Sequence, residues 1–285
     1  YQNGNGGSGT VPFNLKAYGL IHELLQNDIP VYWAIKSGKA KDGIDVSADV
    51  DPVYPTSTFN PSGTTRDFRA GPMVIHLDDV AAAGPIITSY ANDVKVYAFN
   101  NNESIEYKYR LAFKPSILLL NNGGQKGGEW QYEKHSSILS LAGMSSAISA
   151  IIGAADISLN SNSCFSFASE AHWKDGETGD AGETPADDYS TATIEAANIR
   201  AFVESGGNFL TQCAGIEFYE NEEHFHTTNG ILQESNGYYT KNQQDGAHQE
   251  MNFDEAIYQI HGALVNDPTG TFVGVALDGG SYRPS

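Results

Sequence analysis

Between Glu204 and Glu220 the sequence runs E-S-G-G-N-F-L-T-Q-C-A-G-I-E-F-Y-E, and no other stretch of the chain restricts its fold as narrowly. A helical pattern over residues 193–203, with Ile194, Ala197, Ile199 and Phe202 available to a core, stops at Gly206-Gly207. Asn208 to Gln212 reads as a short strand, after which Cys213-Ala214-Gly215 turns the chain sharply. Small residues are needed at such a strand-to-helix turn because it is tight, as at the related serine elbow. The N-terminus of a following helix would lower a thiol pKa at Cys213. A turn of this kind belongs at the carboxyl end of a strand in a sheet that alternates with helices.

The rest of the chain fits that expectation. Asn14 can cap a helix whose apolar face is Leu15, Tyr18, Ile21, Leu24 and Leu25, and Ile29 to Ile35 reads as a buried strand. Residues 36–70, rich in Pro, Ser, Thr and Asp, are expected to be mostly loop. Met73 to Leu77 is strand-like, Asp78 or Asp79 can cap a helix through Tyr90, and Val94 to Phe99 is strand again. Tyr107 to Phe113 bridges to a second portion, where an apolar run through Leu120 ends in Asn121-Asn122-Gly123-Gly124. Ser136 to Ile152 is helical in pattern, Asp156 to Leu159 reads as a strand, and an acidic, Gly-rich insertion occupies residues 174–188. The alternation predicts an α/β fold, a mostly parallel sheet flanked by helices, with Ile117–Leu120, Ile157–Leu159 and Phe209–Gln212 as core strands. The expected organisation is a Gly/Asn-rich tail over residues 1–10, an N-terminal α/β portion over 11–113, and a second portion over 114–285 that can be continuous with it.

Charge narrows the partners. Acidic residues number 35 against 16 basic ones, a net charge of −19. That field repels a phosphate backbone and disfavours an anionic membrane surface. No apolar run approaches the ~20 residues of a membrane span. A hydrophobic fraction of 40% nevertheless supports a folded core. A surface vocabulary of Asn, Gly, Ser, Thr and Tyr points to an extracellular or cell-surface setting, and a first residue Tyr1 to a processed or excised segment.

The Gly-Gly, strand, Cys-x-Gly turn, preceded by a strand ending in Asn121-Asn122-Gly123-Gly124, resembles the class I glutamine amidotransferase-like superfamily over roughly residues 114 to 220. The resemblance implies a flavodoxin-like α/β sandwich and, in active members, amide hydrolysis through a thioester. It makes Cys213 the nucleophile and the backbones of Ala214 and Gly124 the oxyanion donors. Active members carry a His-x-Glu pair downstream, and His248-Gln249-Glu250 has that internal spacing. His224 and His226 lie nearer to the cysteine along the chain.

Cys164 opens a second reading. It follows the expected strand at 156–159, and Cys213 follows the next, so both are expected at one edge of a parallel sheet whose strands are ~4.8 Å apart. A Cys164–Cys213 disulfide is then feasible, worth roughly 4 kcal/mol in the chain-entropy model. A bridged Cys213 attacks nothing. The favoured expectation is therefore a secreted, non-catalytic module for self-assembly or adhesion; the alternative is a cysteine-dependent amidase. Residues 1–10 hold hardly any apolar side chain and, if ordered, are expected to add as a strand to a sheet edge, which favours homo-oligomers or a filament. Asp175, Glu177 and Asp180 in the acidic insertion are candidate calcium ligands, and no other cofactor is expected.

Overall fold

A computed structural model describes residues 14–54, 64–99, 104–121, 125–126, 129–130, 132–157, 165–171, 192–211, 232–235, 238–241, 254–256 and 259. In chain order these form α1 (Lys16–Gln26), β1 (Val31–Trp33), β2 (Ile44–Tyr54), β3 (Thr64–Arg69), β4 (Met73–Val74), α2 (Val80–Ser89), β5 (Val96–Phe99) and β6 (Tyr109–Leu111). There follow β7 (Ile117–Leu120), β8 (Gln125–Lys126), β9 (Glu129–Trp130), α3 (Tyr132–Ala142), β10 (Ile148–Ile152), β11 (Phe167–Glu170), α4 (Ala192–Glu204), β12 (Asn208–Thr211), β13 (Leu232–Ser235) and β14 (Tyr238–Lys241). The fold is mixed α/β. Two compact units emerge, one running to Lys114 with residues 140–144 and the described part of 249–264, the other made of most of the chain from Pro115 onward.

The first unit uses antiparallel sheets, not the alternating α/β arrangement expected of it. Strand β1 lies between β4 and β6, and β2 lies between β3 and β5, all antiparallel. Leu20 and Leu24 of α1 pack with Ile29, Val31, Ala83, Ile87 and Val94, with Ile21 partly buried against them; Leu20, absent from the expected face, is in this core, while Leu15 and Tyr18 are half-buried. The segment expected to be loop, 36–70, holds the longest strand. Its buried positions Ala48 and Val50 alternate with exposed Ser47 and Asp49, and a polar-rich strand of this kind looks like loop when only its composition is weighed. Phe68 on β3 meets Tyr97 and Phe99 at ring separations of 5.4 and 5.6 Å and closes that small core.

His22 sits on α1 at 2% exposure. Burial, assisted by the positive charge of Lys114, holds its imidazole below the usual 6.5, against an opposing pull from Glu23. The unfolded chain binds the extra proton first as pH falls, so the contribution of neutral His22 is complete above about pH 6.5 and shrinks below it. The urea midpoint is expected to drop between about pH 7.5 and about pH 5.5 by more in the wild type than in His22→Gln, and equal drops would refute the assignment.

The second unit contains the four-stranded sheet, in the order β10-β7-β11-β12, with every pair parallel. Leu118 and Leu120 of β7 pack with Ala168, with Ala196, Ile199 and Phe202 of α4, and with Ala154 and Ile157. Ala197, expected in that core, gives its place to Ala196, and Ile194 is 54% exposed. Two expectations are corrected in this unit. The helical reading of 136–152 ends at Ala142, where Gly143 takes φ +83°, and residues 148–152 turn into β10. Residues 154–156 are a single 3-10 turn and Ile157 is not in a strand; the third core strand is β11. Among the described residues, no helix is long and apolar enough to cross a membrane.

Candidate functional site at the carboxyl edge of the parallel sheet

Taken in sequence order the strands lie second, first, third, fourth across the sheet, so the order reverses between β7 and β11. Ligands of open α/β sheets bind outside the carboxyl ends of the strands at such a reversal. In this unit the two edges differ in chemistry. At the amino edge, serines and an asparagine tie strand starts together. Ser116 N–H donates to Ser166 Oγ at 2.9 Å, the Ser116 and Ser149 hydroxyls are 2.8 Å apart, and Asn208 Nδ2 donates to Ser166 O at 3.0 Å. These contacts satisfy backbone and hydroxyl groups locally and read as structural.

Toward the carboxyl ends, β11 carries Ser169 and Glu170, both buried. Period-two alternation sends them to opposite faces. Ser169 Oγ lies 2.6 Å from His135 Nδ1 on the first turn of α3. A hydrogen bond at Nδ1 fixes the imidazole's orientation. Glu170 shares the other face with Ala168, which packs against α4, and pairs in register with Thr211 at the end of β12. The Thr211 hydroxyl is buried and makes no hydrogen bond among the described residues. Glu170 thus sets a buried acidic side chain next to a buried hydroxyl toward the carboxyl ends of β11 and β12.

The residues singled out from sequence fall as follows. Cys213 and Ala214 follow Thr211 by two and three positions, and Gly124 follows Asn121 by three; all three lie outside the described residues. So do His224, His226, His248, Glu250, Cys164, the calcium candidates Asp175, Glu177 and Asp180, and the tail 1–10. Among the described residues no group of three or more His, Cys, Asp or Glu side chains is arranged to hold a metal. The strand correction changes the argument for the disulfide. Cys164 precedes the amino end of β11 by three positions, whereas Cys213 follows the carboxyl end of β12 by two, and the two strands run parallel in register from Phe167↔Asn208 to Glu170↔Thr211. The two ends of that ladder are roughly 10 Å apart at ~3.3 Å per residue. The premise that Cys164 follows a core strand at 156–159 is not met by its described residues, while both cysteines lie outside the described residues.

Ser169, His135, Glu170 and Thr211 were not found from the sequence. For Ser169 and Glu170 the available signal is the run Phe165-Ser166-Phe167-Ala168-Ser169-Glu170, whose apolar and polar residues alternate enough for a strand. Comparison with family models, with curated proteins and with solved structures finds no match for this chain.

Proposed function

We propose that the parallel-sheet unit is an amidotransferase-like hydrolytic domain working at the carboxyl edge of its sheet, with Cys213 as its nucleophile. The observation that carries this reading is the four-stranded parallel sheet with its second-first-third-fourth order, whose last strand, β12, ends two residues before Cys213 in the sequence. A Cys213 thiol outside any bridge would be available for attack. The second-first-third-fourth strand order supports a flavodoxin-like arrangement, and the buried Ser169–His135 and Glu170–Thr211 groups support a site at this edge. In the proposed reaction the Cys213 thiolate attacks a carboxamide carbon, ammonia leaves as the thioester forms, and water then releases the acid. The backbones of Ala214 and Gly124 receive the oxyanion, and His248 with Glu250 supplies the proton transfers.

The test is thiol chemistry followed by turnover. Native protein treated briefly with iodoacetamide is expected to carry the label on Cys213, and glutamine hydrolysis, followed as released ammonia, is expected to fall to background in Cys213→Ser. A non-reducing digest in which the Cys164 and Cys213 peptides are joined would overturn the reading. A secreted, self-associating module without catalysis would then take its place.

A further inference from the structure

We propose that the first unit forms an intramolecular isopeptide bond between Lys39 Nζ and the side-chain carbonyl carbon of Gln259, with Asp45 as the proton carrier. Two side chains six residues apart and a third from 220 residues away meet in one water-excluded place. The Lys39 and Asp45 side chains are 4% and 0% exposed and Gln259 is 4% exposed. Lys39 Nζ lies 2.6 and 2.8 Å from the two Asp45 oxygens and 2.6 Å from Gln259 Oε1. With a C=O bond of about 1.23 Å, that last distance puts Gln259 Cδ within about 3.8 Å of the amine, a few tenths of an ångström outside near-attack separation.

The surroundings hold both reacting groups in place. Asp45 also accepts the backbone N–H groups of Lys36 at 3.0 Å and Gly71 at 2.9 Å, so both its oxygens are oriented. Gln259 Nε2 donates to Glu255 O at 2.9 Å, which turns the amide so that its oxygen meets Lys39. Gly71, at φ +60°, leaves the space: a Cβ there would stand 2.3 Å from Trp33 Nε1 and 3.1 Å from Gln259 Cγ. Trp33 Nε1 donates to Gly71 O at 2.8 Å and walls the site with its ring.

The step balances without any outside reagent. Lys39 passes one proton to Asp45, and the neutral amine attacks Gln259 Cδ to give a tetrahedral adduct. Asp45 delivers that proton to the amide nitrogen as the C–N bond breaks, ammonia leaves, and the surplus proton of the new Lys39 nitrogen moves to Asp45. Two buried charges are thereby replaced by a neutral amide and a neutral acid, which removes the desolvation cost that a buried ion pair carries.

The intact mass of the denatured full chain decides it. The wild type is expected to be lighter than its sequence by one ammonia, with the loss mapping to a branched peptide that joins Lys39 to Gln259, and trypsin is expected not to cut after Lys39. Gln259→Ala, which keeps Lys39 and Asp45, is expected to show its full calculated mass and normal cleavage at Lys39. A wild-type chain of full calculated mass, or an ammonia loss that maps to other residues, would overturn the proposal. The measurement involves neither Cys213 nor glutamine turnover, so it stands or falls separately from the hydrolase reading.

Discussion

In the Gln259→Ala chain, where Lys39 and Asp45 stay an ion pair, Asp45→Ala is expected to lower the unfolding free energy of the first unit by about 3–5 kcal/mol, the range for removing one partner of a buried charge pair. The loss exceeds that of an ordinary surface bridge because neither partner reaches water. Lys39 would keep an ammonium in a pocket that has lost its counter-charge, and the N–H groups of Lys36 and Gly71 would lose their acceptor. Lys41–Asp42 in the same turn provides the contrast. Its side chains are 15% and 28% exposed, solvent screens the pair, and its removal is expected to cost about 1 kcal/mol or less. Urea unfolding followed by the fluorescence of Trp33 and the far-ultraviolet dichroism of the whole chain measures both. Equal effects of the two substitutions would mean that the Asp45 cluster is wetter than its burial indicates.

Leu118→Ala is expected to cost about 2–5 kcal/mol in the second unit. Leu118 is completely buried on β7, a central strand of the parallel sheet, and its side chain fills the space between the sheet and Ile199 and Phe202 of α4. Shortening it removes transfer free energy and leaves a cavity that two parallel neighbours and a helix cannot close. Leu210 lies on β12, which has a strand on only one side among the described residues, and is 41% exposed. Leu210→Ala is expected to cost about 1 kcal/mol or less, so a similar loss at both positions would contradict the assignment of the core.

The parts of the fold legible in the sequence are those in which one local rule decided the outcome. The face of α1 was readable in part, because Ile21, Leu24 and Leu25 repeat at helical spacing, and β7 because a continuous apolar run next to Asn-Asn-Gly-Gly suits a strand buried on both faces. The helix before Gly206-Gly207 and the strand after it were readable for the same reason. Strand β10 was hidden because Ile148, Ala150, Ile151 and Ile152 continue the apolar content of α3, and only the positive φ at Gly143 separates the two. Strand β11 is four residues long and gets its burial from β7 and β12 on either side, which no window over its own residues contains.

The candidate site divides in the same way. The sequence by itself determined that a short apolar strand lies at 117–120 and another after Gly206-Gly207, because these depend on local sterics and on local apolar content. Only the tertiary structure decided which strands are neighbours, with β7 and β12 on either side of β11. Only the tertiary structure brought His135 to Ser169, and Lys39 and Asp45 to Gln259. Those meetings are set by burial and long-range pairing, and a glutamine 220 residues from a lysine leaves no periodic signal by which either could be known to need the other.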